Sequence, residues 1–226
     1  MTKFERIFGI PESEVKKTCI IAPLVNKVLL GSLGVKSLKK GVVYSCGHSK
    51  KFTLINTGMG CAFTGDAVLY LGESGCKKAY LLGGCGSTGA LDIGSICIPS
   101  VAYSDESFSD SLNGKNDIKA FYPDKTIFET LAHKENIKTV VCQTVSSLKL
   151  EDAKIRQFKY RGVDVMDMEC SAFFSAAKYS RIKAAALFYV TDILLKKPFF
   201  EPLEEKDKKI IDSAVGQIAG LLDDND

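Results

Sequence analysis

Arginine is almost missing from this chain. Of its 30 Lys and Arg residues only Arg6, Arg156, Arg161 and Arg181 carry a guanidinium. The lysines are interspersed with acids and the formal net charge is +3, so no basic stripe exists that could neutralise a row of phosphates. A nucleic-acid partner is excluded on that ground. Long apolar runs are missing too: none approaches the roughly 20 residues that span a bilayer. The opening MTKFERIFGI is broken by charges where a signal peptide needs an apolar core. The expectation is a cytoplasmic protein with no membrane partner. His48 and His133 are the only histidines, and both read as turn or helix-surface positions. The 8 cysteines contain no CxxC pair, which removes the usual spacing of a zinc or dithiol motif. They lie in apolar runs such as SICIPS and TVVCQTV, as small buried thiols do in a reducing compartment. No metal site is expected. Repeats, low-complexity tracts and interdomain linkers are absent as well.

What remains is an ordinary globular composition, 46% apolar and 25% charged over 226 residues, enough for one sizeable core. Near-continuous apolar runs at 18–25, 52–58, 79–84, 95–103, 138–145 and 184–192 predict strands in a sheet covered on both faces. Helices are predicted over 61–75, 124–136, 151–162, 169–180 and 205–224. In the last, Ile210, Ile211, Ala214, Val215, Ile218 and Leu222 share one face. The pattern is that of an α/β protein, a single domain over residues 1–226, with three layers in α/β/α order.

Two glycine-rich segments follow predicted strands: Thr57-Gly58-Met59-Gly60 and Gly84-Cys85-Gly86-Ser87-Thr88-Gly89. The second matches GxGxxG, the pattern of a dinucleotide-binding turn. That reading needs a helix next, whose N-terminus would hold the pyrophosphate. Here ALDIG leads straight into the strand SICIPS, so the dinucleotide reading fails. A tight strand-to-strand turn and a loop that approaches a ligand closely both remain open.

Taken in order, these blocks resemble the nucleoside phosphorylase superfamily of purine nucleoside phosphorylases, uridine phosphorylases and methylthioadenosine/adenosylhomocysteine nucleosidases. NTGMGCAFTGDAVLYL resembles the family's TGxG segment opening a helix. GCGSTGALDIGSICIPSVAYSDES is similar to its G-[ST]-x-G-x-L loop and following strand. VMDMECSAFFSAAKYS is similar to V-[ED]-M-E-x-x-A-x-x-x-x-A, and FYVTDIL resembles the [VI]-S-D ending. The resemblance implies a central mixed, strongly twisted sheet and cleavage of an N-glycosidic bond, with phosphate or water as acceptor. It also implies a small-molecule nucleoside as partner and a homo-oligomer. No cofactor is implied, only phosphate as a co-substrate.

Residue by residue, the resemblance makes Asp192 the acid that protonates N7 of a departing purine. Glu169 would accept hydrogen bonds from the ribose 2′- and 3′-hydroxyls, with Met168 against the sugar. Gly86, Ser87, Thr88 and Asn26 would face the nucleophile or cradle phosphate. Ser147 and Leu148 fall where the family lines its base pocket, with Phe158 and Tyr160 as further candidates. Burial at the end of AAALFYV would keep Asp192 protonated, while a helix N-terminus would favour an ionised Glu169. In DVMDMEC, Asp164 reads as a solvated acid and Asp167 as a helix cap.

The chain departs from the pattern in its acceptor half. Gly84 stands where phosphorylases place an arginine, and the loop 22–27 has none, although a planar guanidinium fork is what matches phosphate. The nucleosidases instead use a glutamate in that first loop to activate water, and the corresponding residue is Asn26. Lysines of a second subunit, from Lys39-Lys40 or Lys50-Lys51, could stand in for the arginines. The alternative reading is a non-catalytic nucleoside-binding or regulatory protein on the same fold.

Overall fold

The apolar runs become the parallel heart of a ten-stranded mixed sheet, in a computed structural model that describes residues 1–113 and 119–224. Strand β1 is Thr18–Ala22, β4 is Phe52–Asn56, β5 is Lys78–Ser87 and β10 is Lys183–Ile193. β1 pairs in parallel with β4 and with β5, and β10 runs parallel to the other edge of β5. Short strands β2 (Lys39–Lys40) and β3 (Ser45–His48) extend the β4 side by antiparallel pairing.

Beyond β10 the sheet curls back on itself. β6 (Ile96–Asp105) pairs antiparallel to β10 and parallel to β8 (Ile137–Val145); β7 (Ala120–Phe121) adds to the edge of β6. β8 then pairs with β9 (Val165–Asp167), and β9 returns to β5 at Gly86 and Ser87. Five strands, β5-β10-β6-β8-β9, therefore close a ring, with β1 to β4 as an open arm.

On one edge β5 changes partner. Its residues 78–81 face β1, whereas Gly86 and Ser87 face β9. The edge between opens at Leu82–Cys85, near the carboxyl ends of β1 and β4. A gap at a change of strand partner is where ligands enter α/β sheets.

Helices cover both faces. On one side lie α1 (Lys3–Phe8), α3 (Cys61–Gly72), α4 (Ser107–Asn113) and α7 (Cys170–Tyr179). On the other lie α2 (Lys27–Ser32), α5 (Lys125–Ala132) and α8 (Glu205–Asp224), the last burying Ala214, Val215, Ile218 and Leu222. Ile210 and Ile211, expected on that face, are less covered, Ile210 being 47% exposed at the helix's first turns. α6 (Leu148–Tyr160) closes a third small core with Ile155 and Phe158 against Val163 and Met166. α7 is buried all round, which its run of Cys, Ser, Ala and Phe permits. Truncating its fully buried Phe173 would cost roughly 3–5 kcal/mol. Among the described residues no helix is long and apolar enough to cross a membrane.

Candidate active site

The gap in β5 opens into a cleft enclosing about 800 Å³, part of it open to solvent. Its floor is Gly83–Gly86 of β5, one wall is Met166–Glu169, and the opposite wall is Pro23 and Leu24 after β1. Thr191 and Asp192 of β10 complete it, with Met59, Val145, Leu148 and Phe199 around the mouth.

Gly84–Ser87, expected as a loop, are strand residues, and the turn begins only at Thr88. The glycines are there for space. A Cβ on Gly84 would stand 2.5 Å from Thr191 Cγ2, and one on Gly86 would stand 2.9 Å from Asp192 Oδ2. At this place β10 carries a bulge between Val190 and Asp192. A bulge re-aims side chains, and here it sends the Asp192 carboxyl across β5. Thr191 Oγ1 donates to Asp192 Oδ1 at 2.8 Å. Burial raises the pKa of Asp192, partly offset by the Thr191 hydrogen bond.

Glu169 lies at the N-terminal end of α7 and points away from that helix. Its Oε1 accepts the Gly60 N–H at 2.6 Å, at the start of α3. Gly60 has φ +111°, which a side chain would rarely tolerate, so TGMG needs its second glycine to present this N–H. Cys61 Sγ donates to Met168 O at 3.1 Å and ties the same two segments together. Burial, then the nearby Asp167 charge, pushes the Glu169 carboxyl up to about 8. The expected division, with Asp192 protonated and Glu169 ionised by a helix end, is therefore not what the site shows. Both acids are raised, because the loss of water outweighs the helix terminus.

Asp167 caps α7: its Oδ2 accepts from Glu169 N at 2.8 Å and Cys170 N at 2.5 Å. Its Oδ1 accepts from Thr144 Oγ1 at 2.7 Å and from Cys142 Sγ at 3.4 Å. Cys142, Asp167 and Cys170 also form the one group of metal-type donors found among the described residues, within 4.8 Å of one another. Burial pushes both thiols up, and the cluster is closed by its own hydrogen bonds. Asp164, read as solvated, instead accepts the Val141 N–H at 2.8 Å.

The cleft thus brings together Asp192, Glu169, Met168, Gly86 and Leu148. Ser87, Thr88, Asn26 and Ser147 lie outside its lining. The buried Ser87 hydroxyl accepts from Gly89 N and Leu91 N, and Thr88 Oγ1 donates to Val163 O at 2.8 Å. The Ser87 hydroxyl is spent shaping the turn, and that of Thr88 fastens the turn to the segment before β9. Asn26 Oδ1 caps α2 by accepting from Leu29 N at 2.8 Å, and Ser147 stands at the N-cap of α6. Phe158 belongs to the core and Tyr160 is 94% exposed, so neither reaches the base pocket. Lys39, Lys40, Lys50 and Lys51 are surface residues away from the cleft. Sequence reasoning missed Pro23, Leu24 and Phe199. Phe199 comes from the connection between β10 and α8, where two adjacent aromatics, Phe199 and Phe200, among lysines and prolines leave no periodic signal.

A family model of the phosphorylase superfamily matches residues 22–224. Among solved structures, uridine phosphorylase from Vibrio fischeri ES114, complexed with 6-hydroxy-1-naphthoic acid, superposes with a TM-score of 0.77 at 19% identity. That match covers 94% of this chain and 91% of the other. AMP nucleosidase from Bacteroides thetaiotaomicron VPI-5482 gives 0.75 at 18% identity, over 98% and 95%. Purine nucleoside phosphorylase from Toxoplasma gondii, in complex with immucillin-H, gives 0.73 at 16% identity, over 94% of both chains. At such identities the likeness is one of fold. No curated protein sequence matches the chain. The family match over nearly the whole length decides the class: the chain belongs to the phosphorylase superfamily, and its chemistry is cleavage of an N-glycosidic bond.

Proposed function

We propose that this enzyme cleaves purine nucleosides and passes the ribosyl group to water. In this reading Asp192 delivers its proton to N7 as the bond to the base breaks. Glu169 accepts hydrogen bonds from the 2′- and 3′-hydroxyls, and Met168 packs against the sugar. The observation that carries the reading is the set of ionisable groups in the cleft: Asp167, Glu169 and Asp192 line it, and no lysine or arginine does among the described residues. As Asp192 gives up its proton, its carboxylate forms beside an oxocarbenium-like sugar, whose positive charge gains from it. A phosphate dianion, free or as a 5′-phosphate, would meet these acids with no cation to hold it. The raised pKa of Asp192 supports its role, since an acid must hold its proton near the working pH. Purine is favoured over pyrimidine because uracil offers no atom equivalent to N7.

One observation favours the non-catalytic alternative. Asn26, where the resemblance expects a water-activating glutamate, is spent on capping α2. Purified protein incubated with purine and pyrimidine ribosides, with free base measured, separates the two. We expect adenine or hypoxanthine release and no uracil release. Tight binding of every riboside without release of any base would establish the alternative.

A further inference from the structure

We infer that Thr144 and Asp167 act as positioning residues for Glu169: they cap α7 in its place and so leave its carboxyl group free to face the nucleoside. The inference rests on the reading of Glu169 as the ribose anchor. A side chain with an acceptor at an N-cap can turn it back onto the unpaired N–H groups of its own helix. Glu169 occupies that position, with φ −137° and ψ −28°, yet its side chain makes no capping bond.

Two other residues do the work. Asp167 Oδ2 takes the N–H groups of Glu169 and Cys170. Thr144 Oγ1, on β8, accepts the Ser171 N–H at 2.9 Å and donates its own O–H to Asp167 Oδ1 at 2.7 Å. Thr144 is 0% exposed and Asp167 6%, so neither set of bonds competes with bulk water. Ser171 is held once more, its hydroxyl donating to the buried Glu106 at 3.0 Å. Ala172 N–H bonds to the Cys61 sulfur, and the donor after it, Phe173 N–H, already bonds to Glu169 O.

With those first-turn donors satisfied from α3, β8 and β9, nothing pulls the Glu169 carboxyl back. It crosses to Gly60 N–H on the far segment, where it lines the cleft. A helix that already has a carboxylate at its cap gains little from borrowed caps unless that carboxylate is needed elsewhere. The chemistry it suits is a cis-diol, two adjacent hydroxyl donors approaching one carboxylate.

The test uses Thr144→Val, which removes the hydroxyl at nearly constant shape, beside Thr144→Ser, which keeps it. The Gly60 amide, followed by NMR, reports the position of Glu169 without any ligand. In Thr144→Val we expect Glu169 to turn back toward the freed Ser171 N–H. The Gly60 proton resonance then moves upfield and its exchange with solvent speeds about tenfold or more, the worth of one hydrogen bond. The preference for a purine riboside over its 2′-deoxyriboside, read as kcat/KM, falls by about tenfold as well. Thr144→Ser retains both. An unchanged Gly60 amide in Thr144→Val overturns the inference, even if that variant melts earlier. A Gly60 amide that responds while the wild type ignores the 2′-hydroxyl supports the positioning and overturns the ribose-anchor reading instead.

Discussion

The two walls of the cleft are built on different principles. The wall from β9, α7 and the end of β10 is a set of buried polar groups, each with partners: Asp167 with four donors, Glu169 with Gly60, Asp192 with Thr191. The wall after β1, with the adjoining stretch of β5, offers Pro23, Leu24, Gly83 and Gly84 and no ionisable side chain. Groups that could hold a sugar and protonate a base are in place, whereas groups that could hold an anion are missing. The packing explains part of the contrast. The space a side chain at position 84 would need is filled by the Thr191 methyl, and Thr191 is also the residue that holds Asp192. Room for a larger side chain at position 84 has been given to Thr191, the partner of Asp192.

The sharpest way to break this comparison is to disable the acid. We expect Asp192→Asn to lower kcat/KM for purine ribosides by roughly 10²–10⁴-fold, the usual span for a general acid. A purine riboside methylated at N7 already carries the positive charge, so its cleavage should fall far less. Equal losses on both substrates would remove Asp192 from the proton-transfer step.

Glu169→Gln tests the same wall through stability. The folded pKa of about 8 lies above the ordinary 4.5, so the folded protein keeps a proton that the unfolded chain releases between those values. Stability from this group is therefore full below about pH 4.5 and is lost as pH rises to about 8. Glutamine carries no such dependence. At pH 9 Glu169→Gln should be the more stable protein, by an amount on the order of a few kcal/mol, while riboside cleavage falls about a hundredfold. Thermal melts at pH 5 and pH 9 that run parallel for the two proteins would show that Glu169 is not held at a raised pKa.

The smallest expected effect is at Gly84. An added methyl must displace Thr191, and overpacking of that kind costs about 1–3 kcal/mol. Gly84→Ala should lower cleavage about tenfold by loosening Asp192, and Gly84→Ala/Thr191→Ser, which removes the obstructing methyl, should recover most of it. Failure of the double variant to recover would mean that crowding is not what position 84 controls.

Much of this was legible in the sequence because burial leaves a pattern. Runs such as TCIIA and AAALFYV announce strands covered on both faces, and their order gives three layers, while the mixed sheet was implied only by the family resemblance. Asp192 is visible as the acid at the end of such a run. Features that depend on tertiary contact left no pattern. Val165–Asp167 is too short to read as a strand, yet it closes the ring through β5 and β8. Asp164 looks like a solvated acid until the Val141 N–H is seen beside it. Ser87 and Thr88 have the composition of a ligand-binding loop, and only the structure reveals that one hydroxyl is used within the turn and the other on Val163 O. Glu169 was legible as a residue but not in its protonation, since a dipole can be read from position in a helix and desolvation cannot.

The contrast between the walls comes to one measurement. Wild-type protein is given a purine riboside in rigorously phosphate-free buffer and again with excess phosphate, and the sugar product is identified. The account predicts free base and free ribose at the same rate in both. Base release that requires phosphate, with ribose 1-phosphate as product, would contradict it.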